Sequence, residues 1–263
     1  MDPTFQPLML SAGWDRILMP IVLLGRYTGL LLWPAHLSLD YGGNVIGHIA
    51  HANDPYLWIG IVTIILWLIA IAGCLLIRTP TARLLLFCLL CLAATYGMVG
   101  NIIILIGTNF AERLMYLPSA FFVMIIALLL CKLPRLPRIA ITTALLLLAA
   151  VQTVTAARLW NHPVELYESS LVSQPESIQA HLLLAEERQM EKNYPAAAKV
   201  LEDACDRYQN YWRVWQFRCE NDMLAGDFVD AEKSLKRAIE LDHNPVTADL
   251  AGRLTKAEAA TRP

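Results

Sequence analysis

Five long apolar stretches, all of them before Arg158, constrain the fold of this chain more than any other feature of its sequence. They are Ile17–Pro34, Tyr56–Ile77, Arg83–Ile106, Leu117–Cys131 and Arg138–Ala157. A helix needs about 20 mostly apolar residues to cross the hydrocarbon core of a bilayer. We therefore predict about five transmembrane helices. The first segment, which carries Arg26, and the short fourth segment can instead tilt, enter only part of the bilayer or pack against neighbouring helices.

The chain changes character near Trp160. Hydrophobic residues make up 56% of the 263 residues and the mean hydropathy is +0.45, which is too apolar for an ordinary soluble domain. Beyond Trp160, charged and apolar residues alternate. We therefore predict an all-α chain with a multi-span membrane domain at residues 1–160 and a soluble helical domain at residues 161–263. The net charge of −2 and the lack of a Lys/Arg-rich run argue against nucleic acid as a partner.

Basic residues in the short loops predict the orientation, because cytoplasmic loops are enriched in Lys and Arg. Loops 78–83 and 131–138 are basic and are predicted to face the cytoplasm, whereas loop 35–55 contains no Lys or Arg. This arrangement places the soluble domain outside the cytoplasm. The chain also lacks an N-x-S/T glycosylation sequence, which favours a bacterial inner membrane over an endomembrane.

The soluble domain contains an internal repeat with a period of 34 residues, between 178–211 and 212–245. The aligned pairs are Ala185 with Cys219, Tyr194 with Phe228, Ala197 with Ala231, Leu201 with Leu235 and Ala204 with Ala238. This pattern resembles the tetratricopeptide repeat (TPR), and partial copies at 164–175 and 246–260 are expected to cap the array. Such arrays bind peptide segments or partner proteins on their concave face. The alternative is that this short array packs on its own membrane domain.

Cysteine and histidine patterns predict no metal site. The CxxC spacing within segment 83–106 lies in a leucine-rich helix without companion ligands, and the H-x-x-H sequence at 48–51 lacks a third ligand. In the soluble domain, Cys205 and Cys219 are expected on neighbouring helices. They either form a disulfide in an oxidising compartment or remain free thiols that pack between helices.

Ionisable residues within or beside the apolar segments are the candidate functional residues, because such groups at membrane depth are costly and are usually paired or used in a site. The candidates are Arg26 in the first segment, Glu112 and Arg113 between the third and fourth, and His36, Asp40 and Tyr41 just beyond the first. A guanidinium near the outer interface suits a phosphate oxygen. The alternative is that Glu112 pairs with an arginine to orient a loop, while Arg26 extends towards the interface.

Three stretches of the chain carry a family resemblance. They are "LLGRYTGLLLWPAHLSLDYG" (23–42), "NIIILIGTNFAERLMYLPSAFF" (101–122) and "ARLWNHPVELYESSLVSQPESIQAHLLLA" (157–185). In this order and spacing they resemble the last portion of the transmembrane and tetratricopeptide-repeat containing (TMTC) family, and "FAERLMYLPS" is the most specific string. Members of that family have a multi-span glycosyltransferase fold of the GT-C type. They transfer mannose from a polyprenyl- or dolichyl-phosphate carrier to Ser or Thr hydroxyls of proteins outside the cytoplasm.

The resemblance implies roles for individual residues. Glu112, Arg113 and Tyr116 match the outer-loop motif of the family, and Arg26, His36, Asp40 and Tyr41 match its "GRY…P.HLS.DY" segment. The resemblance therefore implies that all seven are candidates for binding a lipid phosphate. It also implies a polyprenyl-phosphate-linked sugar as donor, no other cofactor, and a protein or peptide as acceptor.

The catalytic carboxylate of the family has no match. GT-C enzymes place it, commonly in an acidic pair, in the first extracytoplasmic loop, and no Asp-Asp or Asp-Glu pair occurs before Trp160. The general base is therefore expected to be missing, the catalytic residue is unassigned and enzymatic activity is left open. Under one hypothesis the chain is the donor-lipid and acceptor-binding half of a glycosyltransferase, and a separate chain supplies the N-terminal catalytic half. Under the other it is a non-catalytic, membrane-anchored TPR scaffold.

Overall fold

The computed structural model describes residues 8, 10–34, 38, 41, 45–47, 49–102, 105–106 and 108–261. These residues form eleven α-helices and no strand, so the predicted all-α fold class is confirmed. In chain order the helices are α1 (Asp15–Leu32), α2 (Pro55–Ile77), α3 (Pro80–Val99), α4 (Tyr116–Leu130), α5 (Arg135–Leu159), α6 (Pro163–Ser173), α7 (Ile178–Met190), α8 (Tyr194–Arg207), α9 (Trp212–Ala225), α10 (Phe228–Leu241) and α11 (Pro245–Thr261). The chain divides into two compact units, Met1–Ala157 and Arg158–Pro263.

Four helices in the described part of the chain are long and apolar enough to cross a membrane. They are α2, α3, α5 and the helix in which a short 3₁₀ turn, Glu112–Met115, continues into α4. About five such helices were predicted. The first apolar segment instead forms α1, which is 18 residues long and carries Asp15, Arg16 and Arg26. Its three charged residues keep it out of the membrane-spanning class, although its length is sufficient.

Glycines bring α1 and α2 into close contact. A Cβ atom on Gly25 would overlap the carbonyl oxygen of Tyr56, and a Cβ atom on Gly60 would overlap the carbonyl oxygen of Ile21. The two backbones can therefore meet only because both positions lack a side chain. Seven residues of α1 are buried, and the Tyr27 side chain is completely inaccessible. The first apolar segment is thus packed against its neighbours, which was one of the alternatives predicted for it.

The third apolar segment was predicted to run to Ile106, but α3 ends at Val99, so this boundary was wrong. Asn101 has a φ of 57°, in the left-handed region that ends helices. Its Nδ2 donates to the Asn109 carbonyl oxygen at 3.1 Å, and its Oδ1 accepts from the Ile106 N–H at 2.9 Å. The Asn101 side chain therefore organises a loop where apolar composition alone favoured more helix.

Capping residues set the starts of α2 and α3. Asp54 accepts a hydrogen bond from the Tyr56 N–H at 2.9 Å, and Thr79 accepts one from the Ala82 N–H at 3.2 Å. In both cases the next residue is a proline at the first helical position, where its missing N–H costs nothing. The Asp54 cap thereby fixes the polar loop before α2 to the first turn of that helix.

The helices of the second unit recur at the predicted interval. The starts of α7 and α9, at 178 and 212, and those of α8 and α10, at 194 and 228, are each 34 residues apart. The small residues aligned in the repeat are all 0% exposed: Ala185, Ala197, Ala204, Cys219, Ala231 and Ala238. α6 and α11 occupy the stretches predicted to cap the array. Helix recurrence and burial support a repeat, and its assignment to the TPR class stays a proposal.

Cys205 and Cys219 are free thiols. They belong to different apolar clusters, because Cys205 packs with Leu201 and Cys219 packs with Leu235. Burial raises the pKa of each thiol to about 12, so neither ionises near neutral pH. Of the two alternatives left open by the sequence, the structure has the free thiols.

Candidate functional site

Glu112 joins two loops that the sequence predicts to be extracytoplasmic. Its Oε1 accepts hydrogen bonds from the Tyr41 hydroxyl at 2.7 Å and from the Ser38 backbone N–H at 3.1 Å. The Ser38 N–H is also 3.1 Å from the Tyr41 hydroxyl oxygen, so the three groups form one connected cluster. The sequence suggested an arginine as the partner of Glu112. In the described part of the chain its partners are a tyrosine and a backbone amide.

Aromatic rings extend this cluster to α1. Tyr27 stacks on Phe110 with ring centroids 4.1 Å apart, and Tyr41 meets Phe110 edge-on at 4.9 Å. The Tyr27 hydroxyl accepts from the Ala111 N–H at 3.1 Å and is 3.3 Å from the Ala111 carbonyl oxygen. Ala111 is therefore fixed to α1, which holds the next residue, Glu112, in position to accept the hydrogen bond from Tyr41.

Tyr41 acts as a neutral hydrogen-bond donor in this cluster. Its side chain is 6% exposed, and burial together with the neighbouring Glu112 carboxylate raises the pKa of Tyr41 well above its ordinary value. The phenol therefore keeps its proton across the physiological pH range and donates it to Glu112. A tyrosine in this state can orient a carboxylate but cannot serve as a base.

Arg26 lies on α1 and lines a pocket of about 360 Å³, in which it, His51 and Asp54 are the charged or polar side chains among apolar ones. Its guanidinium carbon is 4.5 Å from the centre of the Tyr56 ring, in the geometry of a cation–π contact. Its Nη2 is 3.9 Å from Asp54 Oδ2, which is an ion-pair distance but too long for a hydrogen bond. Arg26 Nε is buried without a partner, and no hydrogen bond joins this guanidinium to any described residue.

The pocket wall connects Arg26 to the Glu112 cluster through one loop. Ile46, Ile49, His51 and Asp54 line the pocket, and all belong to the loop that also carries Tyr41. A second fastening holds the same loop, because the Ala50 N–H donates to Asp15 Oδ1 at 3.0 Å. The loop that lines the Arg26 pocket is therefore held at two points by carboxylates. Tyr41 donates a hydrogen bond to Glu112, and the Ala50 N–H donates one to Asp15.

Of the other four candidates predicted from the sequence, two lie apart from the Glu112 cluster and two lie outside the described residues. Tyr116 is 85% exposed and Arg113 is also exposed, without an ion pair to a described residue, so neither joins the Glu112 cluster. His36 and Asp40 lie outside the described residues. Of the seven candidates, the structure brings together Tyr41 and Glu112, and it surrounds Arg26 with residues that were not candidates.

Sequence reasoning missed three residues at this site. Asp54 and His51 line the Arg26 pocket, and the aspartate was detectable because an acidic residue directly before a proline is a helix-start signal. Asn109 is 1% exposed, and neither polar atom of its amide has a hydrogen-bond partner among the described residues. Nothing in the sequence distinguishes this asparagine from an ordinary loop residue.

The arrangement suits anion binding better than metal binding. No group of three or more His, Cys, Asp or Glu side chains that could hold a metal ion occurs among the described residues, and His48 lies outside them. A guanidinium with unused donors, oriented by an aromatic ring, is suited to an oxyanion such as phosphate. When no anion is bound, the Asp54 carboxylate, 3.9 Å from the Arg26 guanidinium, balances the charge of Arg26.

No protein-family model matches the chain, and no curated protein matches it at a significant level. The site geometry and the three stretches of sequence that carry the resemblance are therefore the features that point to a function.

Proposed function

We propose that this chain is an integral membrane protein that binds the phosphate of a polyprenyl-phosphate sugar, as the donor-lipid and acceptor-binding half of an extracytoplasmic mannosyltransferase-like protein. The observation that carries the proposal is the Arg26 guanidinium, which lines a pocket without a hydrogen bond to any described residue. Four helices with membrane-spanning length and composition support a bilayer location, where such a lipid resides. The resemblance of residues 23–42 and 101–122 to the TMTC family suggests the class of ligand.

The chemistry of Arg26 fits a phosphate headgroup. A guanidinium has five N–H donors in a planar fork that matches two phosphate oxygens. At Arg26 the nearest carboxylate oxygen is 3.9 Å away, and Tyr56 contacts the ring face of the cation, so the donors are uncommitted. A phosphate entering the pocket would replace only the 3.9 Å contact between Arg26 and Asp54, whose other oxygen caps α2, and would meet His51 as a second donor.

Sugar transfer requires a base that activates the acceptor hydroxyl. Glu112 is engaged in hydrogen bonds with Tyr41 and Ser38, and Asp54 caps α2. We therefore infer that a separate chain supplies the catalytic carboxylate. In this proposal the helical array of the second unit presents the protein acceptor on its concave face, outside the cytoplasm of a bacterial cell.

Binding of a polyprenyl-phosphate to the full chain in lipid nanodiscs tests the proposal. Arg26→Ala should weaken binding by about 10- to 100-fold, the range expected for the loss of charge-assisted hydrogen bonds of about 1.5–3 kcal/mol. Arg26→Lys should fall between the two, since it keeps the charge but loses the fork. Arg113→Ala should have a smaller effect than Arg26→Ala because Arg113 is exposed.

Asp54→Asn provides a matched variant with the opposite expected effect. Asparagine caps helices as well as aspartate does, so α2 should be retained while the charge that competes for Arg26 is removed. Phosphate binding should therefore tighten severalfold. Equal binding by the wild type and Arg26→Ala, or weaker binding by Asp54→Asn, would refute the assignment of the pocket.

A second candidate function is a membrane-anchored TPR scaffold without transfer activity. It is favoured by the engagement of Glu112 in loop-fastening hydrogen bonds and by the separate compactness of Arg158–Pro263. Fusing the second unit to an unrelated transmembrane helix distinguishes the two in a deletion strain. Rescue of the deletion strain by the fusion supports the scaffold. Rescue by the full chain, but not by its Arg26→Ala variant or by the fusion, supports lipid-phosphate binding.

A further inference from the structure

We propose that α5 is a self-association helix, through which two copies of this chain form a parallel dimer in the membrane. This inference goes beyond lipid-phosphate binding and shares with it only the placement of the chain in a bilayer. α5 is one of the four helices long and apolar enough to cross a membrane, yet none of its residues is buried. The other three helices each bury at least one residue against the rest of the first unit. α5 therefore differs from them in lacking protein packing.

A single carboxamide interrupts the apolar part of α5. Gln152 follows Val151 and lies one turn after Leu148, and its amide makes no hydrogen bond to any described residue. Within a hydrocarbon core, water cannot satisfy such a group, and an amide facing lipid is strongly unfavourable. In membrane helices, glutamine typically bonds across to a neighbouring helix. Gln152 therefore identifies the face of α5 that meets a partner.

Small residues lie on the same face. Thr142, Ala149 and Ala156 recur every seven residues, and Leu145 and Gln152 occupy the intervening positions. This alternation of three and four residues places all five on one side of a helix, as in a coiled coil. Small side chains at such an interface allow two backbones to approach closely enough for interhelical hydrogen bonds. The polar amide and the small residues thus define one continuous surface.

The chemistry of this surface favours a second copy of the same chain. Copies inserted with the same topology align their α5 helices in parallel, which brings Gln152 of one copy to the depth of Gln152 of the other. A carboxamide is both a donor and an acceptor, so two glutamine amides can satisfy each other without a net charge. A helix from a different protein would need its own matching polar group at that depth. Self-association supplies the match automatically and fixes the register.

Energy transfer between donor-labelled and acceptor-labelled copies of the full chain in lipid vesicles tests the dimer. Ala149→Ile should obstruct close approach, and Gln152→Leu should remove the amide pair. Each should weaken association at least about threefold, the low end for interhelical hydrogen bonds in membranes. Ala144→Ile is the matched control, because it is the same substitution at an exposed position of α5 that lies outside this surface.

The outcomes separate this inference from the lipid-phosphate proposal. Energy transfer in the wild type that equals the value for randomly distributed copies would overturn the dimer. So would an equal loss of energy transfer in Ala144→Ile and Ala149→Ile, or undiminished energy transfer in Gln152→Leu. Resistance of every variant to carbonate extraction verifies insertion in the membrane. Arg26→Ala should leave energy transfer unchanged whether or not it alters phosphate binding, so failure of one proposal does not imply failure of the other.

Discussion

Glu112 and Tyr41 show how a partly buried carboxylate is held where two loops meet. The carboxylate exchanges water for one phenol and one backbone N–H, at 2.7 and 3.1 Å. Phe110 lies against Tyr41 and is itself stacked on Tyr27, so aromatic contacts hold the ring whose hydroxyl donates to Glu112. Hydrogen bonds to a charged acceptor are stronger than those between neutral groups, and this cluster therefore helps to fix the loop that carries Tyr41.

Tyr41→Phe should destabilise the first unit by about 1–3 kcal/mol, because it leaves the Glu112 carboxylate and the Ser38 N–H without their shared partner. The thermal unfolding midpoint of the full chain in detergent measures this change. Tyr116→Phe is the matched control: Tyr116 is 85% exposed, and its hydroxyl makes no hydrogen bond to a described residue. Equal shifts of the midpoint in both variants would contradict the role assigned to Tyr41.

A second residue-scale prediction concerns pH and the second unit. His181 is buried, with Nδ1 2.8 Å from the Ser177 carbonyl oxygen and Nε2 3.1 Å from Asp203 Oδ2. The hydrogen bond from Arg207, and also that from His181, lowers the pKa of Asp203 below its ordinary value. The folded state therefore binds fewer protons at Asp203 than the unfolded state does. The resulting stability is present above the ordinary pKa and is lost as pH falls through the lowered one.

Asp203→Asn should consequently lower the stability of the second unit at pH 7 by a few tenths to about 1 kcal/mol, a modest value because Asp203 is half exposed. The difference from the wild type should shrink as pH falls below the ordinary aspartate range. Urea unfolding at a series of pH values measures it, with Asp249→Asn as an exposed control. A difference that grows towards acid pH would show that the carboxylate is not stabilising the folded state.

At the scale of elements, α1 and α2 meet at a crossing that depends on glycine. Gly25 and Gly60 each face a backbone carbonyl of the other helix, where a methyl group would overlap an oxygen that cannot move aside. Because of this close approach, α1 is buried although it is short and charged. The same contact brings Arg26 beside Tyr56 and so shapes the proposed phosphate pocket.

Gly25→Ala or Gly60→Ala should push the two helices apart, with a loss of stability of at least about 1–3 kcal/mol, the usual cost of overpacking. Phosphate binding should fall with it, because the Arg26 guanidinium of α1 lies against the Tyr56 ring of α2 and would be displaced when the helices separate. Gly73→Ala is the control within α2, because nothing lies within 4 Å of the Cβ position there. Thermal stability and binding that are as well preserved in Gly60→Ala as in Gly73→Ala would exclude the proposed crossing.

At the scale of the whole molecule, the two compact units have separate cores. In the second unit, apolar clusters around Leu182 and Leu201, and around Leu235 and Leu250, are built from its own helices. The described residues of both clusters all belong to the second unit, which therefore holds the apolar contacts that it needs to fold.

Residues 158–263 expressed alone should therefore be soluble and helical, and should unfold cooperatively on heating. Circular dichroism measures helix content and the transition. Removing the C-terminal helix, residues 245–263, should reduce stability substantially, because Leu250 and Leu254 are buried against the preceding helix pair. A fragment that is unfolded in isolation, or one that tolerates this truncation without loss, would contradict the independence of the unit.

Several features were predictable because they are set by neighbours in the chain. Apolar length predicted α2 and α5 to within a few residues, and a 34-residue period predicted where the helix pairs of the second unit recur. These features depend on hydrogen bonds between residues four apart and on side chains repeated along one face. The all-α fold class followed from them directly.

Other features were decided only when distant segments came together. Tyr41 and Glu112 are 71 positions apart, and the end of α3 at Val99 depends on an asparagine that bonds to the loop beyond it. The burial of α1 required two glycines on different helices to face each other's backbone, which no local pattern encodes. The sequence by itself determined the helices and their periodicity, because those are local. Only the tertiary structure decided which polar groups met, because that depends on the path of the loops between them.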